Sequence, residues 1–316
     1  MTVDCSPANA PGTLRVGLTL LVALVLTASP LRSQELEPRR WSHLPVGSNF
    51  LGGGYVCTVG DINFEPALQI REGEVELHTF AVKYIHSFEC LGKSARFDLV
   101  QAYQDGTWSG LLQGVHASTN RSGWSDTALR FAVNLWGAPP LAGKEFADFR
   151  ASVADRETIV GAGLAWLLPT GEYFEDKLIN LGENRFSFRP QVGIVHSRGP
   201  WMVEFTSSAW LYTENEAFWN GRHLDQNPLF LNQFHLIHTF RPGLWLGASL
   251  GYDFGGNTTV NGVSNDDQRS QLSWALTCGL PLSRTLGVKL GYIGSRTLAD
   301  TGADTDSIVG AVSLMW

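Results

Sequence analysis

Apolar residues alternate with small or polar ones along most of this chain, most cleanly towards its end. Over 244–256, Leu244, Leu246, Ala248, Leu250, Tyr252 and Phe254 share one face, while Trp245, Gly247, Ser249, Gly251 and Asp253 share the other. Over 269–281, Leu272, Trp274, Leu276, Cys278 and Leu280 oppose Gln271, Ser273, Ala275, Thr277 and Gly279. Over 286–297, Leu286, Val288, Leu290 and Tyr292 oppose Gly287, Lys289 and Gly291. A period of two predicts β-strands whose faces meet different surroundings. A sandwich hides apolar inner faces and usually exposes richly charged ones, so small and polar second faces fit it poorly. Lipid outside and a wet lumen inside fit them well.

Twelve such segments are predicted, at about 47–60, 74–89, 94–106, 124–136, 157–169, 185–196, 201–213, 229–241, 244–256, 269–281, 286–297 and 305–316. Each is long enough to cross a bilayer at a tilt. The last sets Ile308, Gly310, Val312, Leu314 and Trp316 against the smaller Ser307, Val309, Ala311, Ser313 and Met315. Nothing blunts this terminal strand, and pairing it with the first strand of a closed barrel removes the open edge. The alternation ending on an aromatic residue resembles the C-terminal signal of bacterial outer-membrane barrels. The expected fold is therefore all-β: one antiparallel up-and-down transmembrane barrel of about twelve strands over 47–316.

Connection lengths alternate as well. Short turns are expected at 90–93, 198–200, 241–243 and 281–285, and long polar loops at 61–73, 107–123, 170–184, 214–228, 257–268 and 298–304. Short periplasmic turns and long outer loops are the habit of outer-membrane barrels. Only 137–156 breaks the rhythm, a long connection on the short-turn side with Pro139 and Pro140 leading into an expected short helix over 141–150. Phe88, Trp136, Trp201, Phe240 and Trp316 fall towards the periplasmic rim, and Tyr103, Tyr173, Tyr212, Tyr252 and Phe254 towards the outer one, as two aromatic girdles would require.

Composition narrows the class without changing it. Mean hydropathy is near zero and no long apolar run follows the N-terminal region, which excludes a helical membrane protein. A net charge of −7 with dispersed Lys and Arg argues against a nucleic-acid partner. The apolar run 18–26, preceded by Arg15 and followed by small residues, reads as a secretory signal over 1–33, cleaved after Ala28 or Ser33. The polar stretch 34–46 reads as a periplasmic leader or small plug. Cys5 would leave with the signal, and Cys57, Cys90 and Cys278 make a poor disulfide framework. With no paired-His or Cys-x-x-Cys spacing, neither a metal nor a cofactor is implied.

Charge falls on the small-residue face. Lys83, Arg96, Asp98, Arg130, Arg189, Glu204, Asp253 and Lys289 are the expected lumen-lining residues, because Arg or Lys facing lipid at midplane costs about 2–4 kcal/mol. A turn at 90–93 would set Lys83 and Asp98 close enough to pair. Such charges serve either as a selectivity surface or as a network that closes the lumen. The loop acids Asp266, Asp267, Asp300, Asp304 and Asp306 read as solvated charge more readily than as a cation site at the lipopolysaccharide surface. A hydrolase would need a Ser activated by a His. In His86-Ser87 and His196-Ser197 the side chains point to opposite faces, while His116 and Ser118 lie in a loop without an orienting acid. His235 and His238 likewise point apart. The expectation is that the chain is not an enzyme.

Several stretches carry a family likeness. Residues 39–50, Gly52-Gly53-Gly54-Tyr55, Gly60-Asp61-Ile62, Tyr103-Gln104-Asp105-Gly106, Gly137-Ala138-Pro139-Pro140-Leu141, Gly171-Glu172-Tyr173, 180–185 and 301–306 resemble the outer-membrane family named for the meta-cleavage (MetA) pathway of phenol degradation. The resemblance implies a transporter or channel grouped with barrels that pass hydrophobic compounds such as fatty acids and aromatic hydrocarbons. It supplies no site residues. The expected function is a passive outer-membrane channel for a small, hydrophobic or aromatic solute, with membrane lipid, lipopolysaccharide and the barrel assembly machinery as further partners. The alternatives are a non-conducting structural or adhesive barrel and, further off, an outer-membrane lipid hydrolase.

Overall fold

The computed structural model describes residues 36–63 and 70–316. The signal reading of 1–33, Cys5 and Gln34 lie outside the described residues. In chain order the wall consists of β1 (Asn49–Asn63), β2 (Ile70–Cys90), β3 (Lys93–Leu112), β4 (Val115–Trp124), β5 (Thr127–Trp136), β6 (Arg156–Leu168), β7 (Ser187–Arg198) and β8 (Trp201–Tyr212). After a small excursion through β9 (Asn215–Phe218) and β10 (Arg222–Gln226) it continues with β11 (Leu229–Arg241) and β12 (Leu244–Gly255). A second excursion, β13 (Thr258–Val260) and β14 (Val263–Ser264), precedes β15 (Arg269–Pro281), β16 (Leu286–Thr297) and β17 (Gly302–Met315).

Consecutive wall strands pair antiparallel, and β17 pairs β1 from Phe50↔Met315 to Asn63↔Gly302, closing a twelve-stave ring. Main-chain bonds in both directions between Asn49 and Trp316 finish the seam. The fourth stave is β4 followed by β5, interrupted at Ser125-Asp126. β3 pairs with β4 over its outer part and with β5 over its periplasmic part.

The two faces separate as the alternation requires. On β12, Leu246, Leu250, Tyr252 and Phe254 are exposed, whereas Ser249 and Asp253 are buried. Phe80, Val192, Phe234, Leu276 and Ile308 extend this belt of exposed large apolar side chains around the ring. Leaving one such side chain in water rather than burying it costs about 1.5–3 kcal/mol, so a belt this large faces hydrocarbon. No helix among the described residues is long and apolar enough to cross a membrane.

Four sequence expectations change. The stretch 107–123 is not a loop: β3 and β4 run on as a hairpin whose tip, Gln113-Gly114, has both φ angles positive. The loops 214–228 and 257–268 fold together as a four-stranded sheet, β14-β13-β10-β9. Its two tight turns, Asn220-Gly221 and Asn261-Gly262, again have positive φ at both positions, which strand twist favours in a two-residue hairpin. Tyr173 and Tyr212 do not belong to the outer girdle. Tyr212 lies on the inward face of β8 under the Arg185 guanidinium, 4.4 Å from the ring centroid, and the Tyr173 hydroxyl donates to the Ala217 carbonyl at 3.2 Å. Finally, the expected helix begins and ends two residues later than predicted, as α1 (Gly143–Ser152).

The lipid assignment predicts a depth-dependent cost. Leu250→Arg, at mid-strand on the outward face, should lower unfolding stability in urea titrations from phospholipid vesicles by about 2–4 kcal/mol, whereas Leu282→Arg, in an exposed periplasmic turn, should cost about 0–1 kcal/mol.

Candidate functional site: a strapped lumen beneath an apolar chamber

Residues 36–48 do not stay outside the barrel. This strap leaves the start of β1 and climbs inside the lumen, touching opposite walls. Val46 N–H donates to the Leu141 carbonyl at 2.8 Å, and one ring nitrogen of His43 lies 2.7 Å from the Pro139 carbonyl. The His43 ring also packs edge-on against Phe146 and Phe149 of α1, at 4.8 and 5.4 Å between centroids. The connection 137–155 therefore holds the strap where it passes in. Gly137 makes this junction possible, since at φ +85° its backbone abuts the Thr158 carbonyl where a Cβ would collide.

Higher up, Trp41 is fully buried. Its ring lies against the directly paired Gly161 and Gly193 of β6 and β7, where any Cβ would overlap it. Its indole N–H donates to Thr206 Oγ1 of β8 at 2.8 Å, and the Arg130 guanidinium stacks 4.7 Å above it. The strap backbone is held at Arg40, whose N–H donates to Glu204 Oε1 at 3.1 Å and whose carbonyl accepts from Arg96 Nη1 at 3.2 Å. Glu37 takes two lysines from the other side, Lys83 Nζ at 2.8 Å and Lys289 Nζ at 3.5 Å. Burial raises the Glu37 pKa, but Lys83, Lys289 and Arg40 outweigh it and hold the carboxyl well below the usual carboxylate value. Leu36 ends the described strap against Gly251 of β12.

These contacts place every residue singled out in the sequence. Lys83 of β2 and Lys289 of β16 meet on Glu37. Lys83 does not pair with Asp98: the register sets it opposite Val100, with Asp98 a diagonal step away, and the strap carboxylate takes its ammonium instead. Asp98 receives Arg96 Nε at 2.7 Å and faces Arg130 at 3.6 Å. Arg189 is fully buried, donates to Ser208 Oγ at 3.0 Å and lies 5.5 Å from the Trp210 ring. Glu204 holds the strap, and Asp253 faces Arg269 at 3.5 Å nearer the outer mouth. Ile308, Val312, Leu314 and Trp316 are exposed on the lipid side, with Gly310 on the same face.

Above the strap the lumen opens into a chamber of about 320 Å³. Lys83, Asp98, Arg130 and Arg40 form its floor, and Leu181, Asn180 and Glu183 of the 169–186 segment its roof. Between them the inward positions are small: Ala81 and Ala102 directly opposite each other, then Ala128 and Ala165. Leu77, Trp108, Leu167 and Trp210 complete the wall above. The roof is pinned at the break in the fourth stave, where Asp126 accepts from the Gly171 and Glu183 N–H groups, each at 3.0 Å. Leu181 and Ile179 pack on a buried cluster of Ile62, Val75, Leu77 and Trp108, and Leu178 joins the segment to the core of the outer sheet at Phe218, Leu224 and Val260.

Periodicity finds inward faces but not what fills them, so the strap contacts and the chamber were beyond its reach. The Asn-Gly pairs at 220–221 and 261–262 were a usable signal for the outer sheet. Other expected candidates lie apart from the chamber. His86 and Ser87 face opposite sides, His86 accompanying Asn49 and Ser87 donating to the Pro45 carbonyl. His196 pairs with Thr158 on the outer face. His116 and Ser118 stand exposed on the outer hairpin. His235 faces inward beside Ser249, 2.7 Å from its Oγ, while His238 packs between Trp201 and Phe240. Among the described residues no His, Cys, Asp and Glu group could hold a metal, and Cys57, Cys90 and Cys278 are free thiols.

Comparison with known proteins gives a family and a solved structure of the same fold. The sequence model of the family described as "Putative MetA-pathway of phenol degradation" matches residues 70–292. No curated protein matches the chain by sequence. Among solved structures, an outer-membrane channel from Pseudomonas putida F1 superposes with a TM-score of 0.74 at 18% identity, covering 89% of this chain and 100% of that one. The monoaromatic hydrocarbon channel TodX gives a TM-score of 0.47 at 10% identity, covering 86% of this chain and 90% of that one.

If Trp41 is the stopper its packing indicates, removing or displacing it should widen the lumen. Trp41→Ala and Gly193→Val, the latter claiming the space of the indole, should each raise single-channel conductance in planar bilayers at least about two-fold over the parent chain.

Proposed function

Because the chain belongs to the family described as "Putative MetA-pathway of phenol degradation", we propose that it is a passive channel of the bacterial outer membrane for a small hydrophobic or aromatic solute. The observation that carries this reading is the chamber: a largely apolar space inside a lipid-facing barrel, at the low end of the usual range of about 300–1,000 Å³ for ligand sites. A channel for hydrophilic solutes wants an open, polar bore, whereas here the lower lumen is filled by the strap and the space above it is walled by Ala, Leu and Trp. Passage on this reading is passive, down the solute's own gradient. The fold shared with the Pseudomonas channel supports the same reading at the level of architecture.

The exposed terminal face from Ile308 to Trp316 is where the barrel assembly machinery would engage the chain, and the outer hairpin and sheet are where lipopolysaccharide would meet it. We assign no catalytic step to the Ser and His residues, which the fold disperses. A second reading, a non-conducting structural or adhesive barrel, draws on one observation: strap and roof obstruct the lumen at two heights.

Uptake separates the two. In vesicles with a lipopolysaccharide outer leaflet, which resists apolar solutes, the reconstituted protein should accelerate entry of phenol about ten-fold over protein-free vesicles. Equal rates would leave only the structural reading.

A further inference from the structure

The charged groups that line the chamber are balanced, Arg40, Lys83 and Arg130 against Asp98, Asp126 and Glu183. They are also engaged. Lys83 is held by Glu37, Asp98 by Arg96 and Arg130, Glu183 by Arg185 at 3.1 Å, and Asp126 by the two roof N–H groups, while Arg40 and Arg130 have further partners of their own. A charged solute entering here would give up its hydration and meet counter-charges that are already taken. The chamber therefore favours a neutral guest.

Trp108 of β3, in the upper wall of the chamber, has a polar group that nothing has taken. The residue is only 4% exposed, yet its indole N–H meets no acceptor among the described residues. The benzo end of the ring, at Cη2 and Cζ3, lies over Gly106 beside Leu77, where a Cβ on the glycine would overlap it, so the N–H belongs to the opposite end of the indole. The surroundings are apolar, with Ile62, Val75 and Leu77 on the wall and Ile179 and Leu181 from the roof. A water placed on the N–H would find few further polar partners there. A buried donor left without an acceptor carries the full cost of its lost hydration, and a ligand that brings an acceptor recovers it. An indole N–H donates and cannot accept, so the group it selects is an acceptor oxygen. We propose that the chamber is a binding site for a neutral aromatic compound bearing a hydrogen-bond-accepting oxygen, with that oxygen on the Trp108 indole N–H and the ring among Leu77, Leu167 and Trp210 beneath Leu181. This rests on the channel reading and narrows it: the preferred solute is an oxygenated aromatic, neither an ion nor a plain hydrocarbon.

Two probes of nearly the same shape test it: acetophenone, which carries a carbonyl oxygen, and α-methylstyrene, which carries a methylene group in its place. In calorimetric titrations of the full chain in detergent, Trp108→Phe, which keeps an aromatic ring and removes the N–H, should weaken acetophenone binding about ten-fold and leave α-methylstyrene binding within about two-fold. Partition of the probes into detergent is the same for both chains, and heat-modifiable gel migration reports whether the variant folds. Nuclear magnetic resonance of the parent chain decides even if it does not. Among the indole N–H signals of the 11 tryptophans, acetophenone should move one downfield that α-methylstyrene leaves in place, and a folded Trp108→Phe should lack that signal. Equal effects of the substitution on the two probes, or no indole signal that separates them, would overturn the acceptor preference while leaving an apolar channel intact. Failure of both probes to bind would overturn the site, and joined to unaccelerated phenol uptake it would bring down the channel reading as well.

Discussion

In hydrocarbon no water is available to a backbone N–H or C=O, so each must find its partner within the protein. For a chain that crosses with strands, only a closed ring satisfies this, and the seam between β1 and β17 is where it is satisfied here. Closure has further consequences. It fixes an inside and an outside for every strand, so that the apolar half of each alternating segment is committed to lipid and the remaining half to the lumen. It also brings the start of β1 beside the last residue, Trp316, which delivers the preceding strap to the periplasmic mouth.

The strap solves a packing difficulty that closure creates. A ring of this size leaves a lumen wider than small inward side chains can fill. Residues 36–48 fill its lower part with one large anchor and several polar ties. Trp41 needs the two facing glycines of β6 and β7 in order to sit flush with the wall, and the polar ties reach β2, β3, β8 and β16. Because these ties reach around the barrel, the strap braces its cross-section as well as obstructing it. The chamber lies above the described part of the strap, where alanine replaces larger residues along the wall.

The wall was legible in the sequence because its cause is local. All twelve staves follow from a period of two that each segment carries independently, and the pattern survives even at Ser125-Asp126, where the fourth stave breaks between β4 and β5. Side-chain direction on a strand is likewise local, so the inward set from Lys83 to Lys289 could be written down without coordinates. Pairing within that set could not. Whether Lys83 reaches Asp98 or Glu37 depends on a segment that has no periodicity and whose path is set by contacts with strands all around the barrel. Extended hairpins were hidden for the opposite reason. Beyond the membrane their strands mostly face water on both sides, Trp108 excepted, so residues 107–123 lose the apolar alternation while keeping the hydrogen bonding.

Obstruction and recognition share the same side chains, and this ties the strap to the chamber above it. Lys83 is both a floor residue of the chamber and one of the two cations that hold Glu37. A solute that draws that ammonium away competes with the strap carboxylate for it, and whatever it gains from Lys83 is subtracted from the strap's hold. Linkage makes the relation mutual: a strap displaced from Lys83 and Lys289 turns both ammonium groups towards the lumen and changes what the chamber floor presents to a solute. The neutral anchors at Trp41 and His43 lie lower and take no part in this exchange, so the upper strap can loosen while its base remains seated. A charge network spread over strap and wall thus does more than hold the barrel round, because its occupancy and the position of the strap are two readings of one equilibrium.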